Sequence, residues 1–330
     1  MGLKSSGTQK VVLVVVYAIS VASLVWTLRD AGFAQLWDDI QHLNPGWVAL
    51  SVACMVGVYF AQGLRWSLIL APVAKLQVHH AARAVFVGLF ASEVFPIRAG
   101  EIIRCYLVSR WTELPFSVTF ASVLIERLFD ALMMWLGLQW ALRMVHVPGS
   151  ERFAIDTLGI IVIVGLVVLG AALFRPKLKH QEIPPRGLRR RWFILQEDLA
   201  LIGHSWYLWA ALLATLPYLL LQVVPVYIQF REYSFGLGFG PAFALMMLIR
   251  IAAALPQAPA TLGLFQLLAR EFLERGFHIP SAEAARFSLV MWAVVKIPLL
   301  VSGAIAVAIT GTKVSELTHA AHHEHQQSSS

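Results

Sequence analysis

The segment from Phe90 to Arg104 places several charges and two backbone breakers between apolar runs that are long enough to enter a bilayer. The breakers are Pro96 and Gly100, and the charged residues are Glu93, Arg98, Glu101 and Arg104. A lone charge at the centre of a membrane helix costs about 2.5–3.5 kcal/mol on insertion scales. Irregular backbone at that depth is tolerated only where protein or a wet cavity surrounds it. The segment therefore predicts a polar site inside a membrane.

The composition agrees with a membrane protein. The chain is 58% hydrophobic and 14% charged, whereas soluble domains are about 45–50% apolar and about 25% charged. The net charge of +7 comes mostly from loops between apolar segments, which is typical of membrane orientation and not of a nucleic-acid groove. Cys54 and Cys105 form no metal-binding or disulfide pattern. We expect no metal, no cofactor and no nucleic-acid partner.

The apolar segments predict an all-α, polytopic integral membrane protein. Six of them are long enough to span a bilayer: about 10–28, 47–71, 116–142, 153–174, 206–230 and 285–310. Two further stretches, about 80–96 and 240–256, end at a proline-containing break. Shorter, more polar helical pieces follow them, at about 100–111 and 262–275. Helices this short do not cross a bilayer, so we expect two re-entrant helical hairpins.

The distribution of basic residues predicts the topology. Lys4 and Lys10 precede the first apolar run and place the N-terminus in the cytoplasm. That run is longer than the apolar core of a signal peptide, which favours a retained helix. The most basic loop, 175–205, then also lies in the cytoplasm, as does the C-terminus, with a disordered tail at 314–330. We expect a multi-pass protein of the bacterial cytoplasmic membrane.

The two halves of the chain resemble each other. Trp47 lies 49 residues before Pro96, and Trp206 lies 50 residues before Pro256. A long apolar helix follows each break, and the predicted topology runs the two halves in opposite directions. We therefore expect a single transmembrane domain, 1–313, whose halves (about 47–142 and 206–310) form an inverted repeat, with the broken segments meeting near the midplane.

A second charged patch, Glu126, Arg127 and Asp130, lies inside the predicted span 116–142. Their spacing of three and four residues places them on neighbouring positions of a helix. One interpretation is purely structural, with Glu126 and Arg127 fixing the first hairpin by bridging Arg98 or Glu101. The other is a functional site, because an ionisable residue inside a membrane suggests one by default.

Two isolated charges, Arg250 and Lys296, lie in the second half. They make the predicted charged interior positive, which suits an anionic headgroup. Arg98 and Arg104 add a fork suited to phosphate near the start of the helix after Gly100, where unpaired backbone N–H groups favour an anion. We expect headgroup binding by Arg98, Arg104, Arg250 and Glu101, and a supporting charge network of Glu93, Glu126, Arg127, Asp130 and Lys296. The backbone breaks are expected at Pro96, Gly100, Pro256, Pro259 and Gly263.

Three runs carry a family resemblance: Phe95-Pro-Ile-Arg-Ala-Gly-Glu-Ile-Ile-Arg104, Ala121-Ser-Val-Leu-Ile-Glu-Arg-Leu-Phe-Asp130 and Leu255-Pro-Gln-Ala-Pro-Ala-Thr-Leu-Gly263. From about residue 10 to 310, the chain resembles the flippase-like family typified by the membrane region of lysylphosphatidylglycerol synthase. The resemblance implies a bacterial or archaeal membrane protein that moves, or helps to move, a lipid with a polar headgroup. Bifunctional members add a soluble aminoacyltransferase domain, which we do not expect here.

The chain departs from the family at the second break. The family's glycine-rich turn with a nearby Glu corresponds here to Pro259-Ala-Thr-Leu-Gly263, and Gln266 stands near the place of the acid. A glutamine carries no titrating proton, so the resemblance does not extend to proton coupling at this position.

The leading functional hypothesis is translocation of a membrane phospholipid or another polar lipid with an anionic or phosphate-linked headgroup. The sequence contains no Walker A motif for binding nucleotide phosphates, so we do not expect ATP to drive the translocation directly. The alternatives are an integral-membrane transferase, using carboxylates such as Glu101 and Asp130, and an accessory subunit of a lipid-synthesis or lipid-linked glycan enzyme. The sequence is compatible with a homo-oligomer.

Overall fold

The computed structural model describes residues 7–94, 100–141, 149–173, 199–200, 202–203, 205–254 and 261–311. These residues contain eleven named helices and no strand. In chain order the helices are α1 (Gly7–Ala31), α2 (Phe33–His42), α3 (Pro45–Leu70), α4 (Val78–Val94), α5 (Gly100–Thr112), α6 (Phe116–Ala141), α7 (Gly149–Leu173), α8 (Trp206–Glu232), α9 (Phe239–Ala254), α10 (Leu264–Phe277) and α11 (Ser281–Thr310). The all-α prediction is confirmed.

All six predicted spanning segments lie in long helices. Within the described residues, α3, α8 and α11 are both long and apolar enough to cross a bilayer. Helices α1, α6 and α7 have similar lengths of 25, 26 and 25 residues. Helix α6 carries three charged residues near its middle. The chain is therefore a polytopic membrane protein.

The two predicted hairpins are present as pairs of short, packed helices. In the first hairpin, α4 has 17 residues and α5 has 13, and in the second, α9 has 16 and α10 has 14. At 1.5 Å per residue all four are about 20–25 Å long, which is shorter than a hydrocarbon core of about 30 Å. Within each hairpin the two helices pack together.

Local sequence signals set the starts of the two central helices. Helix α3 begins after Asn44, whose side chain accepts the N–H of Gly46 at 2.8 Å, with Pro45 in the first turn. Helix α8 begins after Ser205, whose hydroxyl accepts the N–H of Tyr207 at 3.2 Å. Both side chains satisfy N–H groups that a helix start leaves unpaired.

Helix packing follows a two-fold pattern. Exchanging α3, α4, α5 and α6 with α8, α9, α10 and α11 maps the pair of α3 with α8 onto itself and each other main packing pair among these helices onto a second pair. For example, α3 on α4 corresponds to α8 on α9, and α4 on α11 corresponds to α9 on α6. The pattern extends outward, because α7 packs on α6 as α1 packs on α11.

The central pair of helices shows how the two-fold axis is oriented. Helices α3 and α8 pack together and run antiparallel: the N–H of Asn44 donates to Glu232 at 2.8 Å, while Ile69 shares an apolar cluster with Leu208. An axis that exchanges two antiparallel neighbours is perpendicular to them. For helices that cross a membrane, such an axis lies in the membrane plane, as the predicted inverted repeat requires.

Glycines bring backbones together at the first hairpin. A Cβ on Gly100, the first residue of α5, would lie 1.7 Å from the carbonyl oxygen of Gly88 in α4. Small residues allow helices in membranes to approach this closely. Gly100 therefore fixes the contact between the two arms of the hairpin, next to the predicted break.

Several predicted features lie outside the described residues. They include most of the predicted loop 175–205, the C-terminal tail after residue 311, and the breakers Pro96, Pro256 and Pro259.

We expect Gly100→Ala to destabilise the protein by about 1–3 kcal/mol or more, because the new methyl group overlaps backbone that cannot move independently. The measurement is the thermal unfolding temperature of the purified protein in detergent. Gly276→Ala is the control, because a Cβ at Gly276 meets no atom within 4 Å. Equal unfolding temperatures for the two variants would contradict this close contact.

Candidate functional site

Arg65 is the centre of a buried charge cluster. It lies in α3, and its side chain is only 2% exposed. Its Nη1 donates to Oδ1 of Asp130 at 2.5 Å, and its Nη2 donates to Oε1 of Glu126 at 3.0 Å. Both carboxylates lie on α6, four residues apart and on one face. Arg65 therefore joins α3 to α6 through charge-assisted hydrogen bonds.

Arg104 pairs with the other oxygen of Glu126. It lies in α5, one turn after Gly100, with Nη2 2.7 Å from Oε2 of Glu126 but without hydrogen-bond alignment. Its guanidinium also lies 4.8 Å from the ring centroid of Trp66, whose indole N–H donates to Ser122 at 2.8 Å. Cation–π contact is favourable where water is excluded. Glu126 is thus held between two arginines from different helices.

Arg127 and Glu101 form the exposed edge of the cluster. Nη2 of Arg127 lies 2.6 Å from Oε1 of Glu101, and the two side chains are 48% and 43% exposed. Nη1 of Arg127 also reaches Oδ2 of Asp130 at 3.5 Å. An ion pair between Glu101 and Arg127 was expected if these charges serve to fix the first hairpin to its neighbouring helix, and the structure contains it. This pair connects the first hairpin to α6 and is the most accessible ion pair of the cluster.

Arg250 enters the cluster from the second half of the chain. It lies in α9, and its Nη1 donates to the hydroxyl of Tyr218 at 2.6 Å and to Oε1 of Gln222 at 2.5 Å. Its Nη2 lies 3.6 Å from Oδ1 of Asp130. The ring of Tyr218 has Arg65 at 5.0 Å and Arg250 at 5.1 Å from its centroid. Both halves therefore share Asp130.

A second buried ion pair connects the halves elsewhere. Nζ of Lys296 in α11 donates to Oε1 of Glu93 in α4 at 2.5 Å, and the side chains are 9% and 14% exposed. Helices α11 and α4 correspond to α6 and α9 under the two-fold pattern. The pair of Lys296 with Glu93 thus joins the same two kinds of helix as Asp130 with Arg250, with the charges reversed.

The charge cluster has one more cation than carboxylates among the residues described. Its four arginines, Arg65, Arg104, Arg127 and Arg250, face Glu101, Glu126 and Asp130, while Lys296 and Glu93 balance each other. In addition, Nε of Arg104 and Nε of Arg250 are buried and make no hydrogen bond with the residues described. A buried charge and buried donors without acceptors are costly. The arrangement therefore favours an anion with several acceptor oxygens.

The structure brings together most of the charges that the sequence singled out. Arg104, Glu101, Arg127, Arg250 and their partners Glu126 and Asp130 meet in one cluster, while Glu93 and Lys296 form a separate pair. Arg98 lies outside the described residues. Arg104, expected to bind a headgroup, is almost fully buried against Glu126, whereas Arg127, expected to be supportive, is half exposed.

Sequence reasoning missed Arg65, Tyr218 and Gln222. Arg65 carried a usable signal, because it is an isolated charge inside the predicted span 47–71. Tyr218 and Gln222 lie four residues apart in α8 and are buried. A pair of polar residues at this spacing in an apolar helix indicates an inward face, although not which cation they contact.

Gln266 has a structural role at the second break. Its Oε1 accepts the N–H of Gly263 at 2.7 Å and caps the start of α10. Gly263 has φ +90, and a Cβ there would lie 2.0 Å from the carbonyl oxygen of Ser20 in α1. Only glycine accepts both constraints without strain. The amide therefore supplies the cap that a glutamate would also supply, without adding a charge.

Within the residues described, no group of three histidine, cysteine, aspartate or glutamate side chains is arranged to hold a metal ion.

Comparison with known proteins gives two likenesses. The family model described as "Lysylphosphatidylglycerol synthase TM region" matches residues 12–303. A protein of Haloferax volcanii named "Glycosyltransferase AglD" is 26% identical over 126 residues, which is 38% of this chain and 20% of that protein. The match thus spans one fifth of the relative's length. The family match identifies a membrane protein, in agreement with the long apolar helices described above.

We expect Lys296→Met or Glu93→Gln to cost about 3–5 kcal/mol each, because each removes one partner of a buried ion pair. The double variant should cost less than the sum of the two, with a coupling energy above about 1 kcal/mol in a double-mutant cycle of unfolding.

The matched control for this cycle is the pair of Arg275 with Glu271. Its N–O distance is also 2.5 Å, but Arg275 is 81% exposed. We expect a coupling energy below about 1 kcal/mol for this surface pair. Similar coupling energies in the two cycles would show that burial does not strengthen the pair of Lys296 with Glu93.

Proposed function

Because the chain belongs to the family of the lysylphosphatidylglycerol synthase transmembrane region, we propose that it moves a lipid with an anionic or phosphate-linked headgroup between membrane leaflets. The observation that carries the proposal is the charge cluster between α3, α5, α6 and α9, with its one excess positive charge in the residues described. An anionic headgroup compensates that charge, and the acyl chains stay in the surrounding lipid.

The headgroup first meets the exposed edge of the cluster. Arg127 is 48% exposed and its ion-pair partner Glu101 is 43% exposed, so water reaches both side chains. A phosphate offers Arg127 a bidentate acceptor at little desolvation cost. Arg98, which lies between α4 and α5 in the sequence and outside the described residues, is the other cation that we propose for this step.

Arg250 then binds the headgroup from the second half. Its link to Asp130 is long, at 3.6 Å, and its buried Nε makes no hydrogen bond with the residues described. Arg65 and Arg104 are held by Asp130 and Glu126 and shape the site. Arg104 contacts the headgroup only if its pairing with Glu126 opens. Glu101 and Asp130 orient the arginines that bind.

A second candidate function is participation in lipid-linked glycan synthesis, as a transferase or an accessory subunit. The relative named as a glycosyltransferase favours it, although the matched region covers 20% of that protein. The half-exposed Glu101 is the described carboxylate of the cluster best placed for acid–base chemistry at a wet surface.

The test is lipid exchange in proteoliposomes that contain the purified full chain and a trace of fluorescent phosphatidylglycerol. We expect the protein to accelerate access of a membrane-impermeant quencher to the inner-leaflet probe. Arg250→Gln should slow the initial rate about tenfold or more, because losing one charged hydrogen bond costs about 1.5–3 kcal/mol. A fluorescent glycolipid with a neutral headgroup should exchange more slowly.

Arg275→Gln is the matched control, since it removes an arginine that is 81% exposed at the end of α10. Arg250→Lys tests whether the single ammonium group of lysine can substitute for the planar guanidinium of arginine. An unchanged rate in Arg250→Gln would contradict a headgroup role for this residue. Turnover of a lipid-linked sugar donor without leaflet exchange would favour the transferase, and neither activity, with a co-purifying enzyme, would favour the accessory subunit.

A further inference from the structure

Helix α2 has an apolar face that the described protein does not cover. Phe33, Trp37 and Ile40 recur every three or four residues and are 69%, 62% and 43% exposed. This spacing aligns the three side chains along one stripe of the helix. None of the ten residues of α2 is buried.

The remaining residues of α2 divide into two other faces. Asp38 and His42 lie opposite the apolar stripe, are 70% and 77% exposed, and pair with each other at 3.4 Å. Leu36 and Asp39 lie between these faces and are partly buried; Oδ2 of Asp39 accepts a hydrogen bond from Nε of Arg286 in the first turns of α11 at 2.7 Å. The apolar stripe is thus roughly perpendicular to the side that meets the protein and opposite the most polar side.

The ends of α2 join surfaces that face lipid. A single residue, Gly32, separates α1 from α2. In α1 the side chains of Val25 and Trp26 are 60% and 46% exposed. Helix α3 begins shortly after α2 and exposes Trp47 and Leu50 at 47% and 43%. Tryptophan side chains are enriched at the boundary between headgroups and acyl chains. The apolar stripe of α2 therefore continues the lipid-facing surface of the two helices that flank it.

We propose that α2 is an interfacial helix that lies in the plane of one leaflet, with Phe33, Trp37 and Ile40 inserted at the boundary between headgroups and acyl chains. The apolar stripe then contacts lipid, the face with Asp38 and His42 contacts water, and the face with Asp39 contacts the protein. A helix that lies in the membrane interface has such an apolar and such a polar face. Helix α2 then holds the junction between α1 and α3 at a fixed depth in the bilayer. The hydrogen bond from Arg286 to Asp39 connects this anchored helix to α11.

The charge of α2 specifies the chemistry of its lipid partner. The helix contains two aspartates and no lysine or arginine. Interfacial helices that select anionic lipids depend on basic residues along the polar face. The anchor is therefore aromatic burial, and it does not require an anionic headgroup. This separates it from the charge cluster, and the inference stands whether or not the protein translocates lipid.

The test is a cysteine scan of the full chain in nanodiscs. Spin labels are attached to single cysteines at Phe33, Trp37 and Ile40, and at Asp38 and His42 as controls on the opposite face. The native Cys54 and Cys105 are buried. Accessibility is measured toward oxygen, which concentrates in lipid, and toward a water-soluble nickel chelate.

We expect the labels on the apolar stripe to favour oxygen over nickel several-fold, and the labels at Asp38 and His42 to show the reverse. The pattern should be the same in discs of phosphatidylcholine alone and in discs that contain phosphatidylglycerol. Equal nickel access on both faces would overturn the proposal. Shielding of the apolar stripe from both reagents would also overturn it, because a second copy or another protein would then cover that face. Insertion that appears only with phosphatidylglycerol would overturn the assignment of an uncharged anchor.

Discussion

The pairing of Arg65 with Glu126 and Asp130 makes the charged interior of this protein tenable. Two carboxylates one turn apart on a membrane helix repel each other and are poorly solvated. Arg65 compensates both from α3, and its planar fork fits two acceptors at once. With this pairing in place, Glu126 can hold Arg104 of the first hairpin, and Asp130 can attract Arg250 of the second half.

The cluster also has a gradient of accessibility. Arg65, Arg104 and Glu126 are nearly inaccessible to solvent, whereas Glu101 and Arg127 are almost half exposed. Buried pairs are costly to break, while exposed pairs contribute little and exchange readily. The interior part of the network is therefore suited to hold helices in place, and its edge is suited to exchange partners with an incoming anion.

Much of this architecture could be predicted from the sequence. Length and hydropathy predicted the long helices. The prolines and glycines near Pro96 and Gly263 predicted an interruption between the short helices of each pair, because proline restricts the local backbone and glycine permits conformations that other residues avoid. The spacing from Trp47 and from Trp206 to the following breaks indicated the repeat. Such features depend on short stretches of chain.

The choice of partners could not be predicted in the same way. Lys296 appeared as an isolated charge, and its partner Glu93 is 203 residues away in the chain. Tyr218 and Gln222 contact Arg250 only because α8 presents that side to α9, and helix rotation is fixed by tertiary packing. Arg65 is a charge in a predicted spanning segment, but its partners Glu126 and Asp130 lie 61 and 65 residues away in the chain, so the sequence around it does not show what it contacts.

A two-fold axis in the membrane plane interchanges the two leaflets, so a perfectly symmetric protein of this kind could not tell one side of the membrane from the other. The distribution of charge removes that ambiguity. Among the residues described, the carboxylates of the charge cluster and of the pair with Lys296 belong to the first half, and the second half contributes the cations Arg250 and Lys296 to these contacts. The charged residues therefore distinguish the two halves, although the helices of both halves pack in the same pattern.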